Sequence, residues 1–185
     1  SRIYDLGCSN GNFGLVLSEI MKDHPFEMVA VDNSSSMLEA YGKRLKERKE
    51  SRIRLLHASI EDVAMRDASV IILNLTLQFL PPDFRTALLA KIHSSLKPGG
   101  ILLLTEKVIH EEDDLSELQQ AFYFAFKKEQ GYSQLEISQK REALENVLIP
   151  ETLEDHLARL RKSGFRKIDI WMKWFNFASL LAVKD

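Results

Sequence analysis

An apolar strand that runs directly into a glycine-rich turn and then into an amphipathic helix leaves a chain few folds to choose from. Here that stretch is Tyr4-Asp5-Leu6-Gly7-Cys8-Ser9-Asn10-Gly11-Asn12-Phe13-Gly14. Glycines let the backbone turn tightly and let a ligand approach closer than any Cβ permits, which is how an α/β unit cradles a nucleotide. The order is acidic-x-Gly-x-Ser-x-Gly, with Asp5 ahead of the first glycine, so the match to the dinucleotide fingerprint is imperfect. A glycine loop alone is weak evidence, because a purely structural turn reads the same way.

The next strand narrows the choice. Phe26-Glu27-Met28-Val29-Ala30-Val31 is a buried-strand run that ends in Asp32, followed by Asn33 and a serine cluster. An acid at this strand end, about 20 residues beyond a glycine turn, is placed to accept hydrogen bonds from both ribose hydroxyls. The alternative is that Asp32 or Ser34 caps the following helix, where Ser36-x-x-Glu39 also has the form of a capping box.

Helical stretches then alternate with short apolar strands: helix about 12–23, strand 27–32, helix 35–50, strands 53–57 and 68–75, helix 83–96 and strand 100–106. This alternation predicts a parallel sheet with crossover helices, and Val70-Ile71-Ile72-Leu73-Asn74-Leu75 has the two-sided apolar character of a central strand. Residues 112–163 read instead as three consecutive helices, with capping boxes Ser133-x-x-Glu136 and Thr152-x-x-Asp155, a break at Pro150 and a stop at Gly164. Two strands, about 167–174 and 177–183, are joined so tightly that they must be antiparallel. The predicted architecture is α/β and Rossmann-like: a seven-stranded, mostly parallel sheet with a C-terminal antiparallel hairpin and a helical insertion before it.

With 185 residues, 45% of them hydrophobic, the chain suffices for a single domain with a sizeable core. The formal net charge of −2 does not advertise a nucleic-acid partner, so direct binding of one is not expected. One cysteine rules out an internal disulfide and suits a reducing cytoplasm, and no apolar run is long enough for a membrane. The five histidines are scattered without paired spacing, so no metal is expected. Ser1-Arg2 leads at once into the first strand, so helices that would cover the ligand are expected to lie outside this sequence.

The acidic-x-Gly-x-Ser-x-Gly turn resembles the S-adenosylmethionine (SAM) loop of class I methyltransferases, whose acidic residue lies near the cationic amino-acid end of the ligand. On that resemblance, Ser59-Ile60 after the third strand falls where many such enzymes hold an acid against the adenine amino group and an apolar side chain against the ring. A hydroxyl replaces the acid here, with Glu61 or Asp62 as substitutes. Asn74, ending the central strand, either faces the ligand crevice or is a buried polar group satisfied by a neighbouring loop. Devices for methylating a base are missing: Leu75-Thr76-Leu77-Gln78 carries no Pro-Pro-aromatic motif, and Cys8 sits in the cofactor loop, a poor place for a nucleophile.

Gly131-Tyr132-Ser133-Gln134-Leu135-Glu136-Ile137-Ser138-Gln139-Lys140-Arg141-Glu142 completes a wider pattern. With Tyr4–Ser9, Val31-Asp32-Asn33-Ser34, Asn74–Leu80 and Phe175-Asn176-Phe177, it resembles the bacterial carboxy-S-adenosylmethionine synthases over essentially the whole chain. The resemblance implies that SAM and prephenate are converted to carboxy-SAM and phenylpyruvate, with aromatisation driving the reaction. It further implies a homodimer and a partner enzyme that uses carboxy-SAM to carboxymethylate a wobble uridine in tRNA. It implies ligand contacts at Gly7, Cys8, Ser9, Asp32, Asn33, Ile60 and Asn74, and at Ser59 where relatives carry aspartate. Arg141, by itself an exposed helix charge, is implied to pair with the new carboxylate, a role its planar guanidinium fork suits. The competing functions are a SAM-dependent methyltransferase acting on tRNA or a small molecule and a SAM-binding subunit without chemistry. The aromatic run Phe122-Tyr123-Phe124-x-Phe126 suits either a subunit interface or the core.

Overall fold

Side chains pointing alternately to the two faces of a strand need a covering layer on each side, and the crossover helices supply both layers. In the computed structural model, β1 (Arg2–Leu6) leads into α1 (Asn12–Ile20), followed by β2 (Glu27–Asp32), α2 (Ser35–Arg48), β3 (Ile53–His57) and β4 (Ala68–Asn74). A 3-10 turn at Leu77–Phe79 precedes α3 (Pro82–Ser95) and the long β5 (Leu96–Ile109). The insertion is α4 (Asp113–Glu129), α5 (Gln134–Glu145), the short β6 (Glu151–Thr152) and α6 (Leu153–Lys162), after which β7 (Lys167–Trp174) and β8 (Phe177–Val183) close the fold. The structure describes residues 1–145 and 147–185, apart from the side chains of Lys140, Arg141 and Glu145.

The main sheet runs β3-β2-β1-β4-β5-β8-β7, parallel through β5 and antiparallel at β8 and β7. This is the expected seven-stranded sheet with its hairpin, and β6 adds an eighth, two-residue strand against the end of β5. Tyr4, Leu6, Ile71 and Leu73 pack with Leu89, Ile92, Leu160 and Phe165 on one face. Ile3, Met28, Ala30 and Ile72 pack with Leu15, Tyr41 and Leu45 on the other.

Some boundaries differ from the sequence reading, each for a local reason. Helix α2 is capped by Ser34, whose Oγ accepts from the Met37 N–H, so Ser36 and Glu39 do not form its capping box. Strand β5 begins at Leu96, and Lys97-Pro98-Gly99-Gly100 forms an irregularity within it: Ala68 pairs with Leu96, but Val70 pairs with Ile101. Both other capping boxes form. Thr152 and Asp155 bond reciprocally, as do Ser133 and Glu136.

The insertion is tied to the sheet by a buried ion cluster. Arg85, with no exposed surface, pairs with Glu151, which Arg159 also grips. The remaining Arg85 N–H groups donate to the carbonyls of Leu80, Gln78 and Ile149. Tyr123 and Phe126 of α4 pack on Phe175, with Phe177 and Trp174 also in contact, so part of the aromatic run lies inside the fold while Phe122 is exposed.

Candidate active site

The sheet order reverses direction between β1 and β4, and ligands of open α/β sheets bind in the crevice outside the strand ends at such a point. The glycine turn forms one wall of this crevice. The N–H groups of Gly7 and Cys8 both donate to the Val31 carbonyl, at 2.8 and 2.9 Å, which fastens the turn to β2. Gly11 has a φ of 83° and starts α1 without a side-chain cap. A Cβ on Gly11 would overlap the Tyr41 ring, and one on Gly7 would overlap the Thr76 side chain, so neither position has room for one. The glycines therefore serve close packing beneath the turn as well as its curvature.

Asp32 joins the turn to the next loop. Its Oδ2 accepts from the Ser9 N–H at 2.8 Å and its Oδ1 from the Ser34 N–H at 2.9 Å. Ser34 provides the helix cap through its hydroxyl, so Asp32 is available for a different task, and half-buried at the strand end it suits a ribose. Asn33 is exposed beside it, and its carbonyl contacts His57 Nε2. Ser59 is exposed at the rim after β3, whereas Ile60 is buried in the core with only an edge accessible. Asn74 is exposed, which removes the reading of a buried polar group satisfied by its neighbours. Cys8 is buried, and burial together with Asp5 and Asp32 raises its thiol far above the usual range, so it is no nucleophile. The side chain of Arg141 lies outside the described residues.

Asp5 sits beneath the turn, only 2% exposed, and its Oδ2 has no hydrogen-bond partner among the described residues. Burial, with the Asp32 carboxylate adding to it, pushes the Asp5 carboxyl up to about 7 from 3.8. A buried acid with an unpartnered oxygen, beneath a turn in which neither Gly7 nor Gly11 has room for a Cβ, fits a ligand that brings its own cation.

The raised Asp5 value fixes a pH dependence. The folded state holds the proton more tightly than the unfolded chain, so the stability present below about pH 4 is lost as pH rises through 7. Asp5→Asn removes that loss. It is expected to raise the melting midpoint at pH 8 by roughly 5 °C relative to the parent, with little gain at pH 4, while weakening ligand binding. Thermal unfolding at the two pH values checks it; an equal shift at both would contradict the assignment.

Sequence reasoning missed Glu106. This fully buried residue of β5 accepts from the N–H groups of Thr76, Leu77 and Gln78, at 3.0, 2.7 and 3.1 Å. Burial pushes its carboxyl up to about 7, against the opposing pull of those three N–H groups and of Arg85. It holds the loop after Asn74 in place where Leu75 takes a φ of 58°, a conformation that costs a non-glycine residue about 1–2 kcal/mol. The same loop puts Thr76 over Gly7. The available signal was a lone carboxylate inside the apolar run Ile101–Ile109.

Comparison with known proteins agrees with this geometry. Residues 3–100 match the family model described as a methyltransferase domain. The chain is 52% identical over 98% of its length, and 74% of the relative's, to the carboxy-S-adenosyl-L-methionine synthase of Desulforapulum autotrophicum. The synthase of Shewanella loihica is 45% identical over the whole chain and 76% of its own length. The chain belongs to the carboxy-S-adenosyl-L-methionine synthase family. Among solved structures, the YcgJ protein from Bacillus subtilis superimposes with a TM-score of 0.73 at 12% identity, covering 99% of this chain and 91% of that one. The [4+2]-cyclase SpnF gives 0.71 at 17% identity, covering 99% and 74%. At such identities these two show the shared fold alone. Among the described residues, no helix is long and apolar enough to cross a membrane, and no group of three or more His, Cys, Asp or Glu is placed to hold a metal ion.

Proposed function

We propose that the protein converts SAM and prephenate to carboxy-SAM and phenylpyruvate, and that its product feeds a partner enzyme that carboxymethylates a wobble uridine in tRNA. The observation that carries this reading is the 52% identity to a carboxy-SAM synthase over 98% of the chain. It is supported by a crevice with separate fittings for an ammonium at Asp5 and a ribose at Asp32. SAM supplies an electrophilic sulfonium centre with an acidified methyl group. The protein's part is to hold this ligand and a dianionic second substrate side by side and to exclude water from between them. Prephenate gives up its ring carboxylate as carbon dioxide and its hydroxyl as hydroxide, which takes the methyl proton and leaves as water, while the electron pair left on the methyl carbon forms the new bond to the carbon dioxide. No side-chain base is needed in that balance, in keeping with a crevice whose described cysteine is buried.

In this reading Gly7, Cys8, Ser9, Asp32, Asn33, Ser59, Ile60 and Asn74 contact the nucleoside, and Arg141 pairs with the new carboxylate. Arg141→Ala is then expected to weaken carboxy-SAM binding by about 10- to 100-fold while changing SAM binding by less than about threefold, since only the former offers a carboxylate to the guanidinium. Calorimetric titration with both ligands checks this, and equal losses for the two would remove the role. Homodimerisation is supported by the exposed Ile170, Trp171, Met172 and Trp174 on the edge strand β7, and a cytoplasmic location by the lone thiol. Mass spectrometry of the nucleoside released on denaturation tests the reading as a whole. A ligand heavier than SAM by one carboxyl group supports it, whereas S-adenosylhomocysteine alone would favour a methyltransferase.

A further inference from the structure

Beyond the nucleoside crevice, a cavity of about 350 Å³ opens past the ends of β4 and β5, between α4, α5 and the β7–β8 turn. Its size suits a small molecule. Leu75, the residue after Asn74, forms part of its wall, so the cavity adjoins the end of β4. Two lining residues are lysines, Lys107 and Lys127. Lys127 is itself only 7% exposed, its ammonium held over the Tyr123 and Tyr132 rings at 5.6 and 5.1 Å.

A second observation is independent of charge. Gln78 and Asn176, 4% and 5% exposed, both line the cavity, and Gln78 Oε1 and Asn176 Oδ1 have no hydrogen-bond partner among the described residues. An amide oxygen buried without a partner is destabilising, and a ligand hydroxyl donating to it would relieve that. The backbone is strained on both sides: Leu75 and Phe175, the residues that set the directions of these two amides' segments, have φ of 58° and 48°. Strain of this kind concentrates where a ligand is clamped.

We infer that this cavity is the subsite for the second substrate, a small cyclic dicarboxylate bearing a hydroxyl. Lys107 and Lys127 hold its carboxylates, the amide oxygen of Gln78 or of Asn176 accepts from its hydroxyl, and the Tyr123 and Phe124 rings flank its carbon skeleton. The assignment rests on the carboxy-SAM synthase reading for the identity of that ligand. It places the departing carboxylate and hydroxyl in the cavity, next to the end of β4 and Asn74.

The experiment is calorimetric titration of prephenate into the full chain saturated with S-adenosylhomocysteine, so that binding is read without turnover. Lys107→Met and Lys127→Met are each expected to weaken prephenate binding by about 10- to 100-fold, Asn176→Leu by about 10-fold, and Lys127→Arg to restore most of the loss. SAM affinity should stay within about twofold throughout. Should Lys127→Met fail to fold, Lys107→Met and Asn176→Leu carry the test. Unchanged prephenate affinity in folded variants, or no saturable binding to the parent protein, would overturn the subsite. Saturable binding that the variants lose, with no carboxy-SAM made by the parent, would uphold the subsite and defeat the synthase reading instead.

Discussion

Asp32→Ala is expected to weaken SAM binding by about 100-fold or more. Two ribose hydroxyls donating to one carboxylate are charge-assisted bonds worth about 1.5–3 kcal/mol each, so losing both removes at least two orders of magnitude. A second effect adds to this. The same carboxylate holds the Ser9 and Ser34 N–H groups, so its loss also releases the glycine turn from the neighbouring loop. Asp32→Asn keeps one acceptor oxygen and is expected to lie between the two. Isothermal titration with SAM distinguishes the outcomes. A loss below about threefold in Asp32→Ala would mean that Asp32 serves only the loop.

Arg85→Ala should cost the fold about 3–5 kcal/mol, with a melting midpoint roughly 10 °C lower. The guanidinium has no exposed surface and answers one carboxylate and three backbone carbonyls from two segments distant in sequence, Gln78–Leu80 and Ile149–Glu151. Its removal leaves those acceptors buried without a donor and opens a cavity beside them. Glu151 keeps Arg159, which limits the damage at that end. Because Gln78 lies in the loop after Asn74, activity should fall along with stability. Urea unfolding measures the loss, with Arg161→Ala, an exposed residue, expected to stay within about 0.5 kcal/mol of the parent. A loss for Arg85→Ala below about 1 kcal/mol would show that the cluster does not hold the insertion.

The two predictions differ in how far the sequence alone led to them. The position of Asp32 was legible because it is set locally: a buried-strand run ends on an acid, and the glycine turn lies a fixed distance before it. Strand periodicity, the two working capping boxes and the tight β7–β8 link were legible for the same reason. Arg85 was not, because an arginine on α3 looks like any solvated helix charge until Glu151, 66 positions away, is brought against it. Ser34 and Ser36 were both open as caps of α2 because two serines separated by one residue satisfy the same pattern, and the folded chain selects Ser34. Strand β5 starts early because Lys184 bonds the Gly99–Gly100 segment from β8's end, a partner invisible to local pattern. The cavity between α4, α5 and the β7–β8 turn unites residues spread from Leu75 to Phe177, and no spacing rule links them.

The measurement that bears most directly on the synthase reading uses prephenate isotopically labelled in its ring carboxylate, incubated with the protein and SAM and followed by mass spectrometry of the nucleoside. The expected product is carboxy-SAM carrying the label, with phenylpyruvate formed in equal amount and no S-adenosylhomocysteine. Release of S-adenosylhomocysteine with a methylated acceptor, and no labelled nucleoside, would contradict it.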